Sequence, residues 1–217
     1  MATGSASSYF SADDGYIHSS STEFNLAGNK NYSVVGWYKH AGGSDWQVIV
    51  NYGNSSPNRW GIWMASEGDW HFRWNANDYM NTGTAITTNW THFGGTYSYD
   101  NGDAYLYLDG AVDSSDLSAD SAANGSDQNL ELANRDTANY TTGNLSHLRF
   151  YSKELSQEEI QEIMYNPNVV FSNFVGGFDL YSAGATEYNI YGTENLTEEN
   201  SVATSSSGAP IFLLGGQ

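Results

Sequence analysis

The chain has 217 residues, enough for one large all-β domain that buries roughly 70% of the surface its unfolded form exposes. Hydrophobic residues make up 39% and aromatics 15%, so a folded core is expected rather than the aromatic-poor composition of a disordered chain. Twenty-five acids against seven Lys and Arg give a net charge of −18, which repels a phosphate backbone and excludes nucleic acid, and the lack of cysteine excludes disulfides, thiolate metal sites and cysteine nucleophiles.

Apolar and polar residues alternate in short runs bounded by Gly, Asn, Asp and Ser, the period of half-buried antiparallel strands. Strands are expected near 8–10, 15–18, 32–40, 46–52, 59–65, 69–75, 90–97, 104–109, 129–133 and 144–151, a count that suits a two-sheet sandwich. Asn101-Gly102 tolerates the positive φ angles of a tight hairpin turn, so 90–97 and 104–109 should pair directly. One short helix follows: Ser156 and Glu159 form a capping box, Leu155 and Ile160 a hydrophobic staple, and Pro167 a stop. Its stripe of Ile160, Ile163 and Met164 should lie across the end of the sandwich. A sandwich body over 1–165 is thus followed by a tail, 166–217, with strand-like pieces but too little apolar sequence for a second core. The tail is expected to pack on the main body or on a neighbouring subunit.

No apolar run approaches the ~20 residues of a membrane span, so no membrane insertion is expected. Met1–Ser8 lacks the basic and apolar stretches of a secretory signal, which favours release in the cytoplasm or exit inside an assembled particle. Acid excess beside only Lys30, Lys39 and Lys153 as lysines fits a protein adapted to high salt, where nearby cations screen carboxylate repulsion. A merely soluble acidic surface is the alternative.

Separated segments together resemble the laminin-G-like, concanavalin A-like jelly roll, the superfamily that includes pentraxins and legume-type lectins. YFSADDGYIH at 9–18 is similar to the opening FDGxDDYVxV, and NYSVVGWYKH at 31–40 to the strand FTISAWVKP. NWTHFGGTYSYDNGDAYLYLDG at 89–110 is similar to WHHVAGTYDGxxxxLYVDG, and GNLSHLRFYSKELSQEEIQEIM at 143–164 to GxIDEVRIYNRxLSxxEIxxLY. Ser146 and His147 stand where the family has Asp-Glu. The resemblance implies an all-β, two-sheet antiparallel jelly roll with one helix near its C-terminal side. The tail, from NPNVVF to GAPI, follows the outline of a segment that ends similar jelly rolls in structural proteins of tailed viruses. In ordinary family members a comparable segment precedes the first strand, so the tail is a candidate to supply that strand from the other end.

Catalytic machinery is sought on this architecture because β-glucanases share it and need carboxylates roughly 5 to 9 Å apart on one strand face. Glu67-Gly68-Asp69-Trp70-His71 comes nearest, but His71 replaces the third acid and Gly68 reads as a turn. No GxSxG, HExxH or GxxxxGK[ST] pattern occurs, so no enzymatic activity is expected. Calcium is the one cofactor to consider, since relatives of this fold hold it with loop carboxylates. Candidate ligands are Asp13 with Asp14, and Asp100 with Asp103, although the second pair sits where a hairpin needs Asn, Gly and Asp for its turn.

Aromatics give the main ligand signal. Trp46, Trp60, Trp63, Trp70 and Trp74 fall on three successive expected strands. By alternation Trp60, Ile62 and Met64 share one face, as do Trp70, Phe72 and Trp74, leaving Trp63, His71 and Arg73 as an outward patch. A ring for stacking a sugar, beside an Arg and a His for its hydroxyls, is glycan-binding chemistry; packing or contact with a neighbouring subunit are the alternatives. Asn31, Asn54, Asn89, Asn124, Asn139, Asn144 and Asn195 begin N-x-Ser/Thr triplets, which matter only if the chain meets glycosylation machinery.

The expectation is a non-enzymatic virion surface protein of a tailed virus of a halophilic host, a homo-oligomer that contacts other virion proteins and binds host surface glycans. A carbohydrate-binding module of a secreted or cell-surface protein is the alternative.

Overall fold

A computed structural model describes residues 2–3, 7–11, 15–26, 30–43, 46–53, 59–75, 79–119, 128–134, 140–180, 186–187, 189–199, 203–205 and 210–211. In chain order the elements are β1 (Ala2–Thr3), β2 (Ser7–Phe10), β3 (Gly15–Ser21), β4 (Tyr32–Gly42), β5 (Gln47–Tyr52) and β6 (Trp60–Met64). Next come β7 (Asp69–Arg73), β8 (Tyr79–Ala85), β9 (Thr91–Ser98), β10 (Asp103–Leu108), β11 (Ala111–Asp116), β12 (Gln128–Leu132) and β13 (Thr142–Tyr151). Helix α1 (Gln157–Tyr165) precedes β14 (Phe174–Phe178), β15 (Thr186–Glu187), β16 (Leu196–Glu199), β17 (Ala203–Ser205) and β18 (Pro210–Ile211).

Two eight-stranded antiparallel sheets form the sandwich. The first runs β11-β10-β9-β4-β13-β2-β17, with β14 also on β13, and the second runs β15-β16-β3-β12-β5-β6-β7-β8. Between them lies an aromatic core whose members the alternation of β6 and β7 dictates. Trp60 and Ile62 from β6, with Trp70 and Phe72 from β7 and Trp74 just beyond it, meet Tyr32, Val34, Phe93, Tyr97 and Phe150 from the first sheet. Trp60 stacks on Tyr52 at 5.6 Å with planes 10° apart and meets Phe150 edge-on at 5.9 Å. Burying rings of this size is the largest stabilising contribution available, at roughly 25 cal/mol per Å² of apolar surface.

The hairpin at Asn101-Gly102 forms as its sequence dictates: Gly102 takes φ +70°, and β9 pairs β10 from Ser98↔Asp103 onward. Helix α1 also forms, and its capping box is present in both directions. Its position differs from the expectation. Ile160 and Ile163 pack on Val35, Tyr107 and Tyr151, outward residues of the first sheet, so the helix lies on that sheet's outer face rather than across the sandwich end. Those side chains come together from three strands, β4, β10 and β13, and need cover, and Gly94 beneath Ile160 leaves room for it.

The sequence periodicity leaves out three strands of the body, the two-residue β1 and the longer pair β8 and β11. Both are mostly exposed and polar, so neither carries an apolar period. The tail follows neither sheet alone. It adds β14 to β13 and β17 to β2 in the first sheet, and β16 to β3 in the second. Phe178, Leu180 and Leu196 enter the main core, so the described part of the tail is built into the jelly roll of its own chain.

Candidate functional site

Strands β5 to β8 present their second face away from the core. There the register sets Trp63 opposite His71 and Gly61 opposite Arg73, then His71 opposite Asn81 and Arg73 opposite Tyr79. Trp63, His71 and Arg73 are therefore adjacent, as alternation requires. They are also covered: 3%, 0% and 8% of their respective surfaces reach solvent. The outward patch is correct in direction and differs in exposure, because Tyr79 and Trp46 roof it.

The roof is specific. Tyr79 stacks on His71 at 4.6 Å with planes 21° apart, and Trp46 meets the same imidazole edge-on at 5.0 Å and Trp63 at 6.3 Å. Two guanidinium groups fill the gaps. Arg59 lies 5.2 Å from the Trp63 ring, and Arg73 lies 5.8 Å from Trp63 and 4.9 Å from Tyr79. Two of the seven basic residues in a chain of charge −18 thus sit against this aromatic cluster, where the faces of the rings attract cations. Gly61 makes the floor possible: a Cβ there would press on the Val50 carbonyl oxygen on β5 and come within 2.7 Å of Trp63 Nε1, so glycine is what lets both the neighbouring strand and the indole approach so closely.

His71 donates from Nδ1 to Asn81 Oδ1 at 2.5 Å, which leaves Nε2 as the lone-pair nitrogen. Nε2 has no hydrogen-bond partner among the described residues. Burial pushes the His71 pKa down to about 4; the hydrogen bond to Asn81 works against this, and the charges of Arg73 and Arg59 reinforce it. The ring is neutral at pH 7. Tyr79 is 49% exposed, with its ring stacked on His71 and 4.9 Å from the Arg73 guanidinium. Chemically this is a fixed stacking platform with hydroxyl-binding groups at its edge.

The other candidates separate. Asp13 and Asp14 lie outside the described residues. Asp100 is exposed in the β9–β10 turn and accepts a hydrogen bond from Asn31 Nδ2 at 2.8 Å, while Asn31 Oδ1 accepts the Tyr99 N–H at 2.8 Å. Its carboxylate thereby pins the turn, and Asp103 opens β10 opposite Ser98. Among the described residues no group of three or more His, Asp or Glu is placed to hold a metal, whereas calcium takes roughly six to eight oxygen ligands. Glu67 is exposed in the turn at Gly68, whose φ is +86°, and Asp69 begins β7. Ser146 and His147 are buried at 0% and 2%, in contact at 2.8 Å. Ser146 Oγ and the His147 N–H each donate to Asp179 O at 3.3 Å, and Arg149 beside them pairs with the Asp179 carboxylate at 2.5 Å, so the positions that depart from the family pattern help to fasten the tail.

The sequence reading did not assign Tyr79, Asn81 or Arg59 to the site. Tyr79 and Asn81 belong to β8, which has no strand signature, whereas Arg59 directly precedes β6 and shares the alternation face of Gly61 and Trp63, a signal that could have placed it. The cross-strand partners of His71 and Arg73 became visible only with the pairing of β7 to β8.

Residues 11–161 match the Laminin_G_3 family, described as the concanavalin A-like lectin/glucanases superfamily, and the chain belongs to that superfamily. Solved structures share the fold at low identity. A proposed carbohydrate-binding protein from Bacteroides ovatus is 14% identical with a TM-score of 0.75, over 97% of this chain and 62% of that one. The native heptameric SAP-like pentraxin from Limulus polyphemus is 12% identical with a TM-score of 0.59, over 94% and 99% of the two chains. Domain 4 of AbnA, a GH43 extracellular arabinanase from Geobacillus stearothermophilus solved with arabinotriose, is 21% identical with a TM-score of 0.50, over 63% and 66%. No curated protein matches the chain. The chain spans less than two thirds of the Bacteroides ovatus protein's length.

Proposed function

We propose that this chain is a non-enzymatic carbohydrate-binding module whose ligand stacks on Tyr79 and reaches Trp46 on the outer face of the second sheet. The observation that carries the reading is the Tyr79 ring, half-exposed and held from below by His71 and Arg73. Stacking against a sugar's C–H face supplies affinity, and nearby arginine donors and the Asn81 amide orient its hydroxyls. Trp63, His71 and Arg73, the residues expected to touch glycan, act in this reading as the support of the platform. A glycan array comparing the wild type with Tyr79→Ala and Trp63→Ala tests it. Loss of the strongest signals in both variants supports the site, and unchanged signals in both exclude it. Release of reducing ends from a bound oligosaccharide would move the chain to the glucanase branch of the superfamily.

A finer reading is supported by the tail's outline and the −18 charge: a surface protein of a tailed virus of a halophilic host, found on the virion and repeated as an oligomer. The shared fold with a heptameric pentraxin is compatible with such repetition. Mass spectrometry of purified particles tests the viral part, and absence of the chain from the virion would remove it. An extracellular or cell-surface location then becomes the remaining alternative.

A further inference from the structure

On the opposite sheet, beside the start of α1, a cleft of about 380 Å³ is lined by Tyr105, Tyr107, Glu154, Leu155 and Ser156. We infer that this cleft is a second carbohydrate site, selective for an uncharged sugar residue and independent of the Tyr79 platform.

Its walls are fixed before any ligand arrives. Tyr105 and Tyr107 alternate on β10, so both point away from the core that Ala104 and Leu106 enter. β10 is hydrogen-bonded on both sides, to β9 and to β11. The facing wall is held equally well: Ser33 Oγ donates to Lys153 O at 2.8 Å and accepts the Leu155 N–H at 2.9 Å, and the capping box holds Ser156. A preformed wall removes part of the ordering cost of binding.

The two rings lie 6.1 Å apart with planes tilted by 37°. That makes a shallow trough rather than an enclosing cage, the shape that accepts the flat face of a pyranose or furanose. Tyr105 is half-buried and offers its ring, Tyr107 is buried and forms the floor, and Leu155 closes the apolar side. Glu154, half-buried at the rim, supplies a carboxylate that accepts hydrogen bonds from neighbouring hydroxyls. The volume falls in the ordinary range for small-ligand pockets, roughly 300–1,000 Å³.

Charge decides the ligand class. Among the described residues Glu154 is the only charged one in the lining, and Asp103 and Glu158 lie close enough to act on the same groups. The nearby cation, Lys153, is already paired with Glu159 at 2.5 Å. The first-turn amide of Glu159 is bonded to Ser156, so the helix terminus offers no bare anion site there. Sialylated or uronate sugars would face uncompensated carboxylates, whereas neutral sugars would not.

Backbone-amide NMR titration of the full chain tests this, using neutral hexose and pentose trisaccharides, a sialylated trisaccharide and tetramethylammonium as probes. A neutral trisaccharide should shift residues 103–108 and 153–156 together, and should still do so in Tyr79→Ala. Tyr105→Ala or Glu154→Gln should weaken that response about tenfold or more while leaving shifts around β7 and β8 unchanged. The second site is overturned if these two variants respond like the wild type, or if all binding disappears in Tyr79→Ala. It is also overturned if the cleft takes the sialylated probe or tetramethylammonium in preference to neutral sugar. Because Tyr79→Ala and Tyr105→Ala act on opposite sheets, failure of one site leaves the other measurable.

Discussion

Glu23 and Glu194 cap one another's chain segments across the seam between body and tail. The Glu23 carboxylate accepts the Thr193 N–H at 2.7 Å and the Glu194 N–H at 3.1 Å, and the Glu194 carboxylate accepts the Thr22 N–H at 2.7 Å and the Ser21 hydroxyl at 2.5 Å. Asn189, a few residues earlier in the tail, donates to Glu23 at 3.0 Å and accepts the Gly177 N–H at 3.1 Å. The tail is thus fastened by charge-assisted hydrogen bonds as well as by strands.

This latch makes the protein acid-sensitive in a defined window. Burial alone would raise both carboxyl pKa values, but the hydrogen bonds they accept bring each below its ordinary value of 4.5. Folding therefore depresses both pKa values, so the stabilisation is complete above about pH 4.5 and is lost as pH falls through the lower folded values. Thermal melts between pH 3 and 7 should show this fall, with a smaller one in Glu194→Gln. At neutral pH, Glu194→Ala should cost about 1 kcal/mol, a figure reduced for solvent screening at this half-exposed seam.

Glycan binding should be insensitive to pH near neutrality. His71 is held down to about 4, by burial and by Arg73 and Arg59, so its neutral form persists well below the ordinary histidine range. Binding at the Tyr79 platform should be level from pH 8 to about pH 5 and fall only near 4. A midpoint near the ordinary value of 6.5 would show that His71 does not lie beneath the ligand.

Gly61→Ala should damage both fold and site, because the new methyl would press first on the Val50 carbonyl oxygen of β5 and then on Trp63 Nε1. Overpacking of this kind costs about 1–3 kcal/mol, read from the urea midpoint, and binding should weaken together with it. A fully stable and fully binding Gly61→Ala would mean that neither the Val50 carbonyl nor the Trp63 indole lies against Gly61.

Ser156→Ala removes one half of the capping box on α1. The expected loss is about 1 kcal/mol, or roughly 2–4 °C in Tm for a domain of this size. Calorimetry on the two proteins at one pH measures it.

Salt adaptation has a direct readout. If the −18 charge reflects a high-salt environment, the melting temperature should rise between low and molar NaCl as repulsion is screened. A constant or falling Tm contradicts that part of the account.

Much of this molecule is legible without coordinates wherever the determinants are local. The capping box at Ser156 and Glu159, the Asn101-Gly102 turn and the division of Trp60 from Trp63 between faces each depend on residues a few positions apart. What escapes is non-local or unpatterned. β8 has no apolar period, so Tyr79 is not seen to roof His71, and the patch reads as open when it is covered. The place of α1 depends on which outward residues of the first sheet need cover, and that is a property of the assembled sheet. The tail's partners are fixed by hydrogen bonds such as Glu194 to Thr22, 172 positions away, a separation at which no sequence period operates.

The central claim, that sugar stacks on the ring of Tyr79, is met most directly by calorimetric titration of wild type, Tyr79→Phe and Tyr79→Ala with the strongest neutral glycan. The account predicts that Tyr79→Phe keeps most of the affinity, because stacking needs the ring and not its hydroxyl, while Tyr79→Ala loses about tenfold or more with its fold intact. Equal affinity in all three proteins would contradict it.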